Sequence, residues 1–220
     1  MLALSATSIP EGTWLRAERQ SGGKGRMARQ WESPVGNLYA STLVRLQKSD
    51  PPVATLALVS AISLHQVINA YAPECDIQIK WPNDILAGGA KLAGILLERS
   101  GDGVVIGFGV NLANHPEQLD RAVTSIAALG FGAPDPDNVV YDLAAAFERG
   151  VAAWRSTGLP HVIKQWLAAA HPLGTALTAR LANDESYDGI FDGLAADGAL
   201  RLRLADGAVR VIHAGDVFLL

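Results

Sequence analysis

ERQSGGKGRMARQWESPVGNLYAS, Glu18–Ser41, is the stretch that the rest of the chain has to explain. Gly22, Gly23 and Gly25 stand among Lys24, Arg26 and Arg29, followed by Trp31 and the Ser33-Pro34 pair. Glycines let the backbone turn sharply and bring N–H groups against an anion. Cations among them pair with carboxylate or phosphate oxygens. Taken alone, the segment fits either a solvated basic surface loop or an anion cradle.

Composition narrows the choice. With 220 residues, 49% hydrophobic and 18% charged, the chain is a folded protein of one domain, or one domain with a small appendage. A net charge of −4 excludes the broad basic face of a general nucleic-acid binder. Cations gathered between Arg16 and Arg29 of an acidic protein suit a small anionic ligand better than a polyanion. The single cysteine, Cys75, permits no internal disulfide framework and reads as structural in a reducing compartment. The start MLALSATSIPEG does not read as a signal peptide, and Val53–Ile68 is too short and too polar for a membrane span. A cytoplasmic protein with no membrane partner is expected.

Working outward, Leu2–Ala6 reads as a short helix and Thr13–Glu18 as a strand feeding the Gly-rich loop. Residues 37–45 (NLYASTLVR) form a second strand, and Val53–Tyr71 a helix opened by Pro51-Pro52. Residues 76–81 (DIQIKW), 91–98 (KLAGILLE) and 104–110 (VVIGFGV) read as strands, and 114–137 as a loop. Asp137 or Asn138 is expected to cap a helix from Val139 to about Ser156, with another from Leu159 through Ala170. Beyond Pro172, short alternating segments separated by Asn183-Asp184, Asp197-Gly198 and Asp206-Gly207 predict a small β-barrel of about five strands. The expected division is therefore 1–172 and 173–220.

Three further stretches share the loop's character: Lys80-Trp81-Pro82-Asn83-Asp84, Lys91 with Gly94, and Gly107-Phe108-Gly109-Val110-Asn111. Singly, each has a plain structural explanation: an Asx turn, an edge lysine, a strand bulge. In this order, GGKGR, QWxSPxGNLYxS, KWPNDI, KLAGILLE and GxGVNL resemble the biotin protein ligase family over nearly the whole chain. That resemblance implies an α/β fold: a mixed-sheet catalytic domain like that of class II aminoacyl-tRNA synthetases, followed by a C-terminal SH3-like β-barrel.

The implied activity has two steps: biotin and ATP give biotinyl-5′-AMP and pyrophosphate, and a lysine of a biotin carboxyl carrier protein then takes the biotinyl group. A mixed anhydride has to be kept from water, so a loop closing over it, weakly ordered without ligand, is expected. The resemblance implies Lys91, Arg26 and Asp84 as the catalytic set. It implies Gln20, Lys24, Gly25, Arg26, Lys91, Gly94, Gly107 and Gly109 around biotin. It implies Arg26, Trp31, Asn83, Lys91 and Asn111 around the nucleotide, with Trp31 on the adenine side. Mg2+ is implied as the partner of ATP, with Asp84 a candidate ligand.

Two departures stand out. The family loop reads close to Gly-Arg-Gly-Arg-Arg-Gly-Arg, where this chain has Gly23-Lys24-Gly25-Arg26-Met27-Ala28-Arg29. A Ser-Thr-Asn motif on an early strand would fall at or before Met1, which a late start of the chain would explain. No helix-turn-helix precedes the ligase portion, so DNA binding is not expected, and a homodimer is left open. The competing readings are a lipoate or octanoate ligase of the same superfamily and a non-catalytic biotin-binding module.

Overall fold

A computed structural model of the chain describes residues 1–117, 121–183 and 185–220. After α1 (Leu2–Ser5) come β1 (Trp14–Ala17), β2 (Leu38–Arg45), α2 (Leu56–Tyr71), β3 (Ile77–Lys80), β4 (Asp84–Ala87), β5 (Ala90–Ser100) and β6 (Gly103–Val110). These strands form one sheet in the order β1-β2-β6-β5-β4-β3, with every neighbouring pair antiparallel. Two helices follow, α3 (Pro136–Thr157) and α4 (Leu159–Ala169). A second antiparallel sheet is built from β7 (Ala176–Arg180), β8 (Ser186–Leu194), β9 (Leu200–Arg203), β10 (Val209–Ile212) and β11 (Asp216–Leu219). Its order is β10-β9-β8-β7-β11, so the last strand returns beside the first.

Alternation along the strands divides the first sheet into two faces. Val104, Ile106, Phe108 and Val110 of β6 and Ala93 and Ile95 of β5 belong to the core shared with α2, α3 and α4. Leu96, Gly94, Gly107 and Gly109, one residue out of step, line a cavity. Helix α2 is apolar on nearly every side because it lies between α3, α4 and the sheet. The Val53–Tyr71 segment is long and apolar enough to cross a bilayer, yet here it is the central core helix. Trp14, Phe108 and Phe147 pack together with ring centroids 5.6–6.0 Å apart, fixing α3 to the sheet.

Several elements differ from the sequence reading. Asp84–Ala87 is a strand, not merely the polar end of a turn. It pairs with β3 across a cis Trp81–Pro82 bond, then with β5 across Gly88 and Gly89, both at positive φ. Four residues with one leading acid carry too little alternation to announce a strand. Helix α3 begins three residues earlier than expected. Its cap is Asp135, whose carboxylate accepts from the Asp137 N–H at 2.9 Å, and Pro136 takes the first helical position. The expected loop at 114–137 contains a π-helical turn, Ala127–Phe131, and Val123 bridges to Lys91.

The second sheet docks against the first portion through specific contacts. Lys80 Nζ donates to the Val217 carbonyl at 2.9 Å, and Trp81 Nε1 donates to the Gly198 carbonyl at 3.3 Å. Phe191 packs edge-on against both Trp166 and His171.

Candidate active site

The cavity, about 830 Å³, is floored by the β5–β6 pairing and walled by the Gly-rich loop, the Lys80–Asp84 turn, Met1–Ala3 and residues of β11. Its floor rests on one register. Gly94 stands directly opposite Gly109, and Gly107 opposite Leu96 on one side and Ser41 on the other. The Gly94–Gly109 pair leaves a patch without side chains, and the Trp31 indole lies flat against it. A Cβ at Gly109 would stand 2.7 Å from Trp31 Cε2, and one at Gly94 3.2 Å from Trp31 Cζ3. At Gly107 a Cβ would meet nothing closer than 3.8 Å, so close approach is built at Gly94 and Gly109 alone.

Trp31 therefore sits over the glycines expected to receive biotin. Its Nε1 is buried and has no hydrogen-bond partner. A buried N–H of this kind is costly unless a ligand or water meets it.

Beside this patch lies a compact charged group. Asp84 pairs with Lys91 through Oδ1 and with Lys80 through Oδ2, the latter at 3.3 Å. The side chains are only 16% (Lys80), 10% (Asp84) and 12% (Lys91) exposed. Burial resists ionisation of Asp84, but the Lys91 and Lys80 ammoniums outweigh it and hold the carboxyl below its usual range. For Lys91, burial pushes the ammonium below the usual lysine range; Asp84 opposes this, while Arg121 and Lys80 reinforce it. Lys91 Nζ lies 5.6 Å from the Trp31 ring centroid and 3.3 Å from the position of a Gly94 Cβ, so it faces the patch. The group thus presents one cation, oriented by a fixed anion, over a surface that admits a flat ligand.

Lys80 lay within a stretch singled out from sequence but was given no role there. Its signal was present in the spacing of Lys80-Trp81-Pro82-Asn83-Asp84. A tight turn after β3 pairs Lys80 directly with Asp84 in the β3–β4 ladder.

The Gly-rich loop folds as a small hairpin. The Trp31 N–H donates to the Gly23 carbonyl at 2.9 Å, the Gly25 N–H to the Arg29 carbonyl at 2.8 Å, and Lys24 bridges to Gln30. Gly23 is required sterically, since a Cβ there would stand 2.5 Å from the Trp31 carbonyl oxygen and 2.8 Å from Gln20 Oε1. At the tip, Met27 (φ 53°) and Ala28 (φ 56°) occupy the left-handed region, which costs a non-glycine residue about 1 kcal/mol or more. The family pattern has glycine where this chain has Ala28.

Arg26, expected to face the ligand, and its neighbour Arg29 line the cavity and are both held by the second sheet. Arg26 Nη1 donates to the Gly215 carbonyl at 3.0 Å and to Asp216 Oδ1 at 3.4 Å, and Arg29 pairs with Asp216 Oδ2. Asp216 had no signal in sequence, because the contact joins residues almost the full chain apart.

The remaining expected residues divide. Gln20, Lys24 and Gly25 line the cavity, with Gln20 Oε1 accepting from Ser33 Oγ at 3.1 Å. Asn83 reaches it too, although its Nδ2 donates to the Ile95 carbonyl and so ties the turn to β5. Asn111 does not reach it: the residue is 3% exposed and its Nδ2 donates to the Thr124 carbonyl at 3.0 Å. That bond braces the segment after β6. Both oxygens of Asp84, the residue named as a candidate metal ligand, carry ammonium partners. Among the described residues no group of three or more His, Cys, Asp or Glu side chains could hold a metal ion.

Comparisons with known proteins agree with this architecture. The model of the biotin/lipoate A/B protein ligase family matches residues 3–111, and that of the biotin protein ligase C-terminal domain matches 173–220. A biotin–[acetyl-CoA-carboxylase] ligase of Paracoccus denitrificans is 38% identical, over 97% of this chain and 92% of its own length. One from Mycobacterium tuberculosis is 32% identical, over 99% and 83% respectively. The structure of the Aquifex aeolicus biotin protein ligase in complex with biotin and ATP superposes with a TM-score of 0.88. It is 23% identical and covers 99% of this chain and 94% of that one, a likeness of fold. On the family matches and these identities, the chain belongs to the biotin protein ligase family.

Proposed function

We infer that this chain is an ATP-dependent biotin protein ligase, forming biotinyl-5′-AMP and passing the biotinyl group to a lysine of a biotin carboxyl carrier protein. The observation that carries the reading is the Lys91 ammonium, nearly buried, fixed by Asp84 and turned over the Gly94–Gly109 patch. A pure binding module has no need of a cation held at that cost in a largely buried site.

In the first step, a biotin carboxylate oxygen bonds to the α-phosphorus of ATP and the bond to pyrophosphate breaks. Both reactants are anions, so their approach is repulsive until fixed positive charge meets them. Lys91 supplies that charge where it accumulates, on the α-phosphoryl oxygens, and Asp84 keeps it oriented without reorganisation. Biotin's fused ring lies on the Gly94–Gly109 patch with Gly107 alongside, after Trp31 has moved off it. Gln20, Lys24 and Gly25 close the mouth, and Trp31 and Asn83 face the nucleotide. Arg26 leaves Asp216 to reach the phosphate. In the second step, the acceptor lysine's amine attacks the anhydride carbonyl and AMP leaves.

Mg2+ binds hard oxygens, usually several from substrate phosphates. The described residues offer no site for it on the protein alone, so it would come with the triphosphate. We assign 1–172 to catalysis and 173–220 to a closing β-domain, and place the enzyme in the cytoplasm.

The test is transfer: the purified chain, ATP, biotin and a recombinant carrier domain, with biotinylation read by intact mass. A mass gain of one biotinyl group on the carrier is expected. A carrier that stays unmodified while a known ligase modifies it would overturn the reading.

A further inference from the structure

Among the loop's cations, Arg26 and Arg29 already have an anion. Asp216, the first residue of β11, takes both of them, and the Gly215 carbonyl takes Arg26 as well. All three side chains line the same cavity. The partners belong to the second sheet, while the hairpin that carries the arginines belongs to the first portion of the chain. The same hairpin places Trp31 on the floor patch through the Trp31–Gly23 hydrogen bond.

We propose that Asp216 is a placeholder anion: it holds the Arg26–Arg29 hairpin in a parked position that a nucleotide's phosphates must take over. The proposal rests on the ligase reading for the identity of the ligand, not for the latch itself. A carboxylate and a phosphate cannot both be satisfied by the same two guanidinium groups without facing each other at close range, which like charges disfavour. Ligand binding therefore exchanges the arginines' partner, unhooks the hairpin from β11 and frees Trp31 to leave the floor. Asp216 acts through the arginines and is a positioning residue.

The effect is moderate, because the side chains of Arg26, Arg29 and Asp216 are 27%, 45% and 21% exposed. Ion pairs of that exposure are worth little individually. Two of them together correspond to roughly a threefold to tenfold change in an equilibrium.

The experiment compares wild type, Asp216→Asn and Asp216→Glu as full chains. In biotin-dependent ATP–pyrophosphate exchange, Asp216→Asn is expected to lower the KM for ATP roughly threefold to tenfold with kcat changed less than about twofold. Asp216→Glu, which keeps the charge, is expected to stay near the wild-type KM. Without ligand, trypsin should cleave after Arg26 and Arg29 several-fold faster in Asp216→Asn than in wild type. An unchanged or raised KM for ATP in Asp216→Asn overturns the placeholder role while leaving the ligase reading intact. If wild type itself shows no exchange, the ligase reading fails, and the ligand-free tryptic comparison decides the latch: equal cleavage overturns it.

Discussion

Replacing Asp84 by asparagine keeps the side chain's shape and removes the negative charge that pairs with both Lys80 and Lys91. Those ammoniums are 16% and 12% exposed, so neither can turn freely to water. Removing one partner of a buried ion pair costs about 3–5 kcal/mol. The asparagine oxygen still accepts one hydrogen bond and the group is not wholly dry, so we expect about 2–3 kcal/mol. For a chain of this size that lowers Tm by roughly 4–12 °C.

The pH dependence of the variant is a sharper signature. Burial already lowers the Lys91 pKa, and losing Asp84 removes the largest opposing influence. Between the lowered folded value and the usual unfolded one, the unfolded chain binds more protons, so stability rises with pH. The gap between variant and wild type should therefore narrow from pH 7 to pH 10. A second change, Lys91→Met in the Asp84→Asn background, should restore part of the loss by removing one of the two facing cations. Urea unfolding followed by circular dichroism measures all three. A single variant within about 0.5 kcal/mol of wild type, or a double variant less stable than the single, would refute the reasoning.

Other perturbations address the floor, the loop and the histidines. Gly109→Ala places a methyl where 2.7 Å separates it from the Trp31 ring; the KM for biotin should rise about tenfold, equivalent to about 1.4 kcal/mol, with the KM for ATP far less affected. An unchanged biotin KM would move the slot elsewhere. Ala28→Gly relieves a left-handed alanine and should slow tryptic cleavage of the hairpin by about twofold to fivefold, after the entropic cost of glycine is deducted. Faster cleavage would contradict the strain. Burial depresses the pKa of both His65 and His171 below 6.5. The unfolded chain then binds more protons below pH 6.5, so stability should fall on acidification from pH 7 to pH 5. His171→Gln should flatten that slope, and an unaltered slope would remove His171 from the explanation.

What was legible in the sequence follows from periodicity and from glycine. The apolar runs of β5 and β6 were legible as strands, while the bare face left by their glycines shows only once the strands are paired. Register is what sequence does not carry: nothing in KLAGILLE or VVIGFGV says that Gly94 meets Gly109 and not Gly107. Lys91 and Asp84 were each visible, but their union with Lys80 depends on a turn that brings both ends of Lys80–Asp84 together. Asp216 was invisible because its partners lie near the opposite end of the chain, in the hairpin between β1 and β2. The glycines of the loop were read as sources of mobility; Gly23 proves to be a point of close packing, where a side chain cannot fit. The bond from Asn111 to Thr124 was not legible either, because an amide at a strand end serves equally well to face a ligand or to brace the next segment.

The central claim is that a buried, Asp84-held Lys91 ammonium catalyses adenylate formation over a bare glycine floor. Biotin-dependent exchange of labelled pyrophosphate into ATP tests it most directly, with wild type and Lys91→Ala assayed side by side. The account predicts exchange by wild type that requires biotin, and a loss of about 10²-fold or more in kcat for Lys91→Ala. Wild type without biotin-dependent exchange would contradict the ligase reading, and exchange undiminished in Lys91→Ala would contradict the role given to that lysine.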